Sequence, residues 1–418
     1  MGRAFGGIYN RDHAHEELLA AVYALYADSN ALYPGVFPGL RKFESEVVAM
    51  TLSLFGASLE DPKGHCGTMT SGGTESIIMA VKSNRDYYRR TKPHIRRPNV
   101  VAGVSAHAAF AKACEYLCIE YRVVPSDAAT SYAVDLAAVA AAVDSNTILI
   151  VGSAPSFPHG VMDPIPQLAA LALERGVGMH VDCCLGGYLV PFLRNMGLLH
   201  APFDFSVPGV TSISADLHKY GCGPKGSSVI MHSSSARRKA QFCSYTEWSG
   251  GIYCSPSIAG SRGGGVIAAA WAAMMALGED GYTDHARRQY SVWRSLVDGI
   301  PGIPGLQLVG NPEACVVAFL SVDPAVDTMK IADALAKRHW QVNRLQKPIC
   351  LQLQIGDRHD FSPAEFLADL AAAMDAIRQD PEAFKSGMAG VYTMAAELPN
   401  RAIVGDLLED YLSALYKV

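Results

Sequence analysis

The stretch SADLHKYGCGPKG, Ser214 to Gly226, decides how this chain is read. It carries two lysines, Lys219 and Lys225, six residues apart, with Tyr220, Gly221, Cys222, Gly223 and Pro224 between them. Upstream, VTSIS (Val210 to Ser214) alternates apolar and small polar residues, as a strand does. The stretch therefore reads as a strand entering a glycine-rich loop, the kind of place where a scaffold presents reactive groups. The spacing keeps the lysines off one helical face, but a Gly/Pro loop can fold Lys225 back over the crevice that holds Lys219. Taken alone, Lys225 also reads as a solvated surface lysine.

Working outward, apolar strand-like runs alternate with helical patterns from about residue 65 to 285. VVAGVS, TILIVGS, VGMHVD, SISAD and SVIMH are the short runs, and AVDLAAVAAAVD and IPQLAALALERG are helical patterns between them. This alternation predicts an α/β fold with a mostly parallel sheet covered by helices. Before it lie a helix from about Glu16 to Ala27 and an irregular proline-bearing stretch, ALYPGVFPGLRKFE. After Pro301 comes a smaller α+β region, in which Ser362-Pro363-Ala364-Glu365 reads as a capping box opening a helix through about Arg378. The expected division is an N-terminal segment over 1–60, a large domain over 61–300 and a C-terminal small domain over 301–418.

Composition excludes several classes of function. Half of the residues are apolar and 18% are charged, enough for a large core and too apolar for disorder. A net charge of -5 gives no reason to expect nucleic acid or an anionic membrane, so an anionic ligand must be held by local positive groups. Ten cysteines without a CxxC pair or a secretory signal read as reduced thiols in the cytoplasm. The longest apolar run, Val266 to Leu277, is twelve residues, which predicts a buried helix and no transmembrane anchor. His13 and His15 beside Glu16 and Glu17 lack a third ligand set, so no metal is expected there and the segment reads as solvated. Cys183-Cys184 reads as small apolar packing.

Three further motifs carry chemistry. TSGGTES (Thr70 to Ser76) stands before a helical pattern, where Gly72, Gly73 and the Thr74 hydroxyl suit either an anion cup or an ordinary capped turn. HVDCCLGG places Asp182 at the end of an apolar run, where a buried carboxylate needs a cationic partner. VSAHAAF places His107 just after another strand. In an open α/β sheet these strand ends converge on one crevice. Together they match what pyridoxal 5'-phosphate needs: a helix N-terminus for its phosphate, a carboxylate for its ring nitrogen, a flat group on its ring and a lysine for its aldehyde.

With those residues in view, the chain resembles the sphingosine-1-phosphate lyases, fold-type-I pyridoxal-phosphate enzymes of the group II decarboxylase superfamily. The resemblance runs through LYPGVFPGLRKFESEVV, TSGGTESIIMA, SAHAAFAKA, FPHGVMDPIP, HVDCCLGGYL, TSISADLHKYGCGPKGSS and GGIYCSPSIAGSR. It implies that Lys219 holds the cofactor covalently, Asp182 pairs with the ring nitrogen and His107 stacks on the ring. Gly73, Thr74 and His218 would hold the cofactor phosphate, joined by Gly260 and Ser261 of a second subunit in a homodimer with shared active sites. Lys225, with Tyr9 from the other subunit, would take the substrate phosphate. The implied reaction is retro-aldol cleavage of a phosphorylated sphingoid base at C2–C3, giving phosphoethanolamine and a long-chain aldehyde.

The chain departs from the family pattern in three places. Tyr33 stands in LYP where the family has a phosphate-contacting histidine. Cys222-Gly223 replaces a common Tyr-Ala. Gly263 replaces a proline in GSRGGG, which is expected to loosen that turn. An amino-acid decarboxylase would use the same Asp182 and Lys219 but has no need of a second phosphate site at Tyr9 and Lys225. A non-catalytic phospholipid- or cofactor-binding member has no need of Lys219 and Asp182.

Overall fold

A computed structural model describes residues 3–7, 9, 12–57, 64–357, 361–384 and 401–417. The chain opens with a short strand, β1 (Arg3–Ala4), and two helices, α1 (His13–Leu25) and α2 (Pro38–Leu54). The sequence reading left the start of α2 irregular. Proline at the first helical position supplies a preset φ and lacks only an N–H that has no partner there, so the helix starts at Pro38.

The apolar runs build one seven-stranded sheet from β2 (Cys66–Thr70), β3 (Asn99–Gly103), β4 (Glu120–Val124), β5 (Thr147–Ser153), β6 (Gly178–Cys183), β7 (Ser212–Ala215) and β8 (Ser228–His232). Their order is β2-β8-β7-β6-β5-β3-β4, and only β8 runs against its neighbours. Every residue of β3, β5 and β6 is buried, as continuous apolar strands between two helical layers must be. The covering helices are α3 (Gly73–Thr91), α4 (Ala109–Tyr116), α5 (Leu136–Ala142), α6 (Ile165–Arg175), α7 (Val190–Asn195) and α8 (Ser235–Gln241).

A hairpin of β9 (Cys243–Tyr245) and β10 (Tyr253–Ser255) leads to α9 (Gly264–Gly299). The apolar run Val266–Leu277 lies within α9, which breaks its helical backbone at Gly278 (φ 59°, ψ -173°), just where that run ends. A four-stranded antiparallel sheet follows, β11 (Leu306–Leu308), β12 (Val316–Ser321), β14 (Asn343–Gln346) and β15 (Ile349–Gln354), in the order β11-β12-β15-β14. With α10 (Thr328–Ala336) and α11 (Pro363–Gln379) it encloses a second core around Trp293, Phe319, Phe366 and Leu370. A last helix, α12, spans Arg401–Leu415. Ser362 caps α11 by accepting from Glu365 N at 3.4 Å, but Glu365 turns its carboxylate to Arg3 rather than completing a capping box.

The N-terminus belongs to this second core. β1 pairs in parallel with β13 (Trp340–Gln341), and Phe5 packs against Trp340, Phe361 and Phe366. Among the described residues no helix is long and apolar enough to cross a membrane.

Candidate active site

The register of the sheet brings the sequence motifs to one edge. Asp182 on β6 lies between Ser153 of β5 and Ser214 of β7. Thr70, ending β2, pairs with Ser228 at the start of β8, beside the turn that leaves β7. This sets the N-terminus of α3 against the loop that carries Lys219. A Cβ on Gly73 would stand 2.6 Å from Asp216 Oδ2 and 2.9 Å from Cys184 Sγ, and one on Gly72 would stand 3.2 Å from His218 Cε1. Gly72 (φ +146°) caps α3 without a side chain, which leaves the first N–H groups of the helix for an outside acceptor. Thr74 is exposed on the same turn.

Asp216, which the sequence reading passed over, organises this corner. It is 2% exposed, and its Oδ2 lies 3.2 Å from Lys219 Nζ and 3.4 Å from His218 Nε2. Burial pushes the Asp216 carboxyl up, but the His218 hydrogen bond and the Lys219 charge outweigh it, and its pKa falls below the ordinary carboxylate value. Burial likewise opposes the Lys219 ammonium, and Asp216 outweighs that and holds the lysine above its ordinary value. The pair is therefore ionic at neutral pH. The three-residue spacing in DLHK was the one sequence signal for it.

Asp182 is buried, and its Oδ1 accepts from Cys184 N at 3.0 Å and Ser214 Oγ at 3.3 Å. Its Oδ2 makes no hydrogen bond among the described residues. Beneath it His180 spans Ser212 Oγ (2.9 Å) and Ser214 Oγ (3.1 Å). Burial pushes the His180 imidazole down to about 4, so this support is neutral at pH 7. Cys184 is a free thiol bonded to Ser214 Oγ at 3.2 Å, more than the inert packing expected of it.

Lys225 folds back as the loop composition allows. Its Nζ donates to the carbonyls of His218 (3.2 Å) and Gly7 (3.3 Å) and stands 4.9 Å from the ring centroid of Tyr9. Burial and then the nearby Lys219 charge lower its pKa. The resemblance draws Tyr9 from another subunit; within this chain its own Tyr9 already lies beside Lys225. The reason is the anchoring of β1 on β13, followed by the turn at Gly6 (φ +85°) and Gly7 (φ +75°), which carries the chain from the second core to the lysine loop. The solvated reading of His13 and His15 is corrected in part. His13 is exposed beside Glu17 at 3.5 Å, whereas His15 is buried with Nε2 2.9 Å from the carbonyl of Cys222.

His107 follows β3 on the same sheet edge and is exposed, with Nδ1 accepting from Ala109 N at 3.1 Å, which places the proton of the neutral ring on Nε2. Tyr33, Gly260 and Ser261 form a separate group. Asn30 links Tyr33 to the segment after Gly260: its carbonyl accepts from Tyr33 N (3.1 Å), its Nδ2 donates to Ser261 Oγ (2.9 Å), and its Oδ1 accepts from Arg262 N (3.2 Å) and Leu32 N (2.9 Å). This clamp holds the turn that Gly263 was expected to loosen. Tyr33 is 56% exposed. Glu75 joins this segment to the cup, accepting from Ser71 N (2.7 Å) and Ile258 N (3.0 Å). Among the described residues no group of three or more His, Cys, Asp or Glu is arranged to hold a metal ion.

The donor set fits pyridoxal phosphate. A helix N-terminus opens at Gly72–Gly73, His218 Nδ1 is buried without a hydrogen-bond partner, and Asp182 keeps one carboxylate oxygen unbonded above a neutral floor.

Comparison with known proteins agrees. Residues 8–322 match the model of the pyridoxal-dependent decarboxylase conserved domain. The sphingosine-1-phosphate lyase of Oryza sativa subsp. japonica is 42% identical over 99% of this chain and 77% of its own length. The structure of the sphingosine-1-phosphate lyase of Burkholderia pseudomallei K96243 superposes with a TM-score of 0.88 at 36% identity, covering 98% of this chain and 90% of that one. A glutamate decarboxylase of Lactobacillus brevis, at 22% identity and a TM-score of 0.78 over 91% of this chain and 90% of that one, shares the fold. The cofactor is pyridoxal phosphate, and the chain belongs to the sphingosine-1-phosphate lyases within the pyridoxal-dependent decarboxylase group.

Proposed function

We propose that the chain cleaves the C2–C3 bond of a phosphorylated sphingoid base, giving phosphoethanolamine and a long-chain aldehyde. The observation that carries this reading is the division of one loop between two cations: Lys219 turns inward to Asp216, and Lys225 turns outward to Tyr9. A second phosphate grip beside the cofactor lysine is what a phosphorylated substrate needs, and an amino-acid decarboxylase has no second phosphate to hold.

In this reading Gly73, Thr74 and His218 would hold the cofactor phosphate, Lys219 its aldehyde, His107 the face of its ring and Asp182 its ring nitrogen. Bound there, pyridoxal phosphate would supply a conjugated ring able to act as an electron sink. Lys225 and Tyr9 grip the substrate phosphate, with Tyr33 as a further contact. Gly260, Ser261 and Tyr33 serve the site of a second copy in a homodimer with shared active sites. Their grouping on Asn30, beside the exposed apolar side chains of Val36 and Ile258, supports that assignment. A division into a dimer-contacting segment over 1–60 and domains over 61–300 and 301–418 goes with it, as does a cytoplasmic location.

The test is the product. Incubation of the purified protein with dihydrosphingosine 1-phosphate is expected to release long-chain aldehyde and phosphoethanolamine in equal amounts. Release of carbon dioxide from an amino acid, with no aldehyde, would replace this reading with the decarboxylase.

A further inference from the structure

Tyr9 is fixed at every end by the second domain and the lysine loop. Its carbonyl accepts from Asp357 N at 2.9 Å, its ring meets Tyr220 edge-on at 5.1 Å, and its face lies 4.9 Å from Lys225 Nζ. Its hydroxyl oxygen accepts from Gln354 Nε2 at 2.6 Å. Gln354 ends β15, is 4% exposed and is held in turn by Gly6 N, which donates to its carbonyl at 3.2 Å. Asp357 is pinned by Arg288, at 2.6 and 3.1 Å, and by His285 at 3.2 Å.

A phenol has one hydrogen to donate and an oxygen that can accept. Gln354 donates to that oxygen, and the phenolic hydrogen makes no further hydrogen bond among the described residues. Burial raises the Tyr9 pKa, so the phenol keeps its hydrogen through the working range of pH. The amide at 354 thus presents Tyr9 as a donor, beside an ammonium that is also only a donor. An acceptor-rich dianion suits that pair.

We propose that Gln354 is a positioning residue that orients the Tyr9 hydroxyl as a donor to the substrate phosphate beside Lys225, so that the second domain sets the preference for a phosphorylated amine. The inference rests on the assignment of Tyr9 and Lys225 to that phosphate. It separates two substitutions of similar size. Gln354→Glu offers a carboxylate that accepts the phenolic hydrogen and turns it from the phosphate, whereas Gln354→Met removes the anchor but leaves the hydrogen unclaimed.

The experiment measures binding of phosphoethanolamine to the holoenzyme by calorimetry, together with kcat and KM for dihydrosphingosine 1-phosphate. Gln354→Glu is expected to weaken phosphoethanolamine and raise KM about tenfold or more, with a smaller change in kcat and unchanged cofactor absorbance. Gln354→Met is expected to fall between it and the parent. Tyr9→Phe added to Gln354→Glu is expected to add little, since both act through one hydrogen. Parent-like binding in both Gln354 variants overturns the proposal, as does an unaffected Tyr9→Phe beside an impaired Gln354→Glu. A parent enzyme that binds phosphoethanolamine in this Gln354-dependent way yet releases no aldehyde would refute the proposed function and leave this inference standing.

Discussion

Asp216 and Lys219 stand three residues apart in the chain and 3.2 Å apart in space, an ion pair whose carboxylate is 2% exposed. Removing one partner of such a pair strands the other charge in a poor solvent. Asp216→Asn is expected to lower the unfolding free energy of the cofactor-free protein by about 3 kcal/mol at pH 7. The folded pKa of Asp216 lies below its ordinary 3.8, so the stability it supplies is complete above that value and is lost as pH falls through the folded pKa. The difference between parent and variant should therefore shrink in acid below about pH 3.8. Urea unfolding at neutral and acid pH checks both statements, and equal stability at pH 7 would remove Asp216 from the account.

Gly73→Ala tests the cup. Alanine favours a helix over glycine by about 1 kcal/mol, so propensity alone predicts a gain. The added Cβ would instead meet Asp216 Oδ2 at 2.6 Å, and Asp216 is tied to Lys219 and His218. We expect a folded protein by circular dichroism whose affinity for pyridoxal phosphate, titrated by absorbance, falls about tenfold or more. Parent-like affinity would show that the cup tolerates a side chain.

Gly263→Pro should stabilise the protein. Gly263 has φ -64°, the value proline enforces, and a Cβ there meets nothing within 4 Å. The flanking bonds, Ala31 N to Arg262 O (3.0 Å) and Gly264 N to Ser29 O (2.9 Å), bypass its own N–H. The expected gain is about 0.4–1 kcal/mol, through a more restricted unfolded chain, and is read as a higher melting temperature. A lower one would mean that this turn needs a backbone proline cannot adopt.

Two buried histidines set an acid limit. Burial pushes His180 and His232 each down to about 4 from an ordinary 6.5. The unfolded chain takes up these protons near pH 6.5 and the folded chain only near 4, so their contribution is whole above 6.5 and is lost as pH falls towards 4. Each shift corresponds to roughly 3 kcal/mol at full loss. Melting temperatures from pH 7.5 down to 4.5 should fall steadily, and less steeply in His232→Gln, whose amide can still meet Gln241. A flat parent profile would contradict the burial of neutral imidazoles.

The sequence made legible whatever is local. Strand runs, the helix entry at Gly72–Gly73, Asp182 at a strand end and Lys219 in its loop each follow from period, turn chemistry or a short motif. Contacts between distant segments were not legible. Gln354 meets Tyr9 across 345 positions, and Asn30 meets Ser261 across 231. Neither residue lies in a motif, and each acts through one amide whose partner is chosen by the packing of two elements. Asp216 was within reach, since DLHK puts a carboxylate one turn before the lysine. The place of Tyr9 beside Lys225 in the same chain follows from the pairing of β1 with β13, which carries no signal in a two-residue strand.

The division of labour between the two lysines is tested most directly by borohydride reduction of the holoenzyme, followed by proteolysis and mass mapping of the 214–226 peptide. The reduced cofactor is expected on Lys219 alone, with Lys225 unmodified and an unlabelled Lys219→Ala protein that releases no aldehyde from dihydrosphingosine 1-phosphate. Label on Lys225, or aldehyde release at the parent rate by Lys219→Ala, would contradict it.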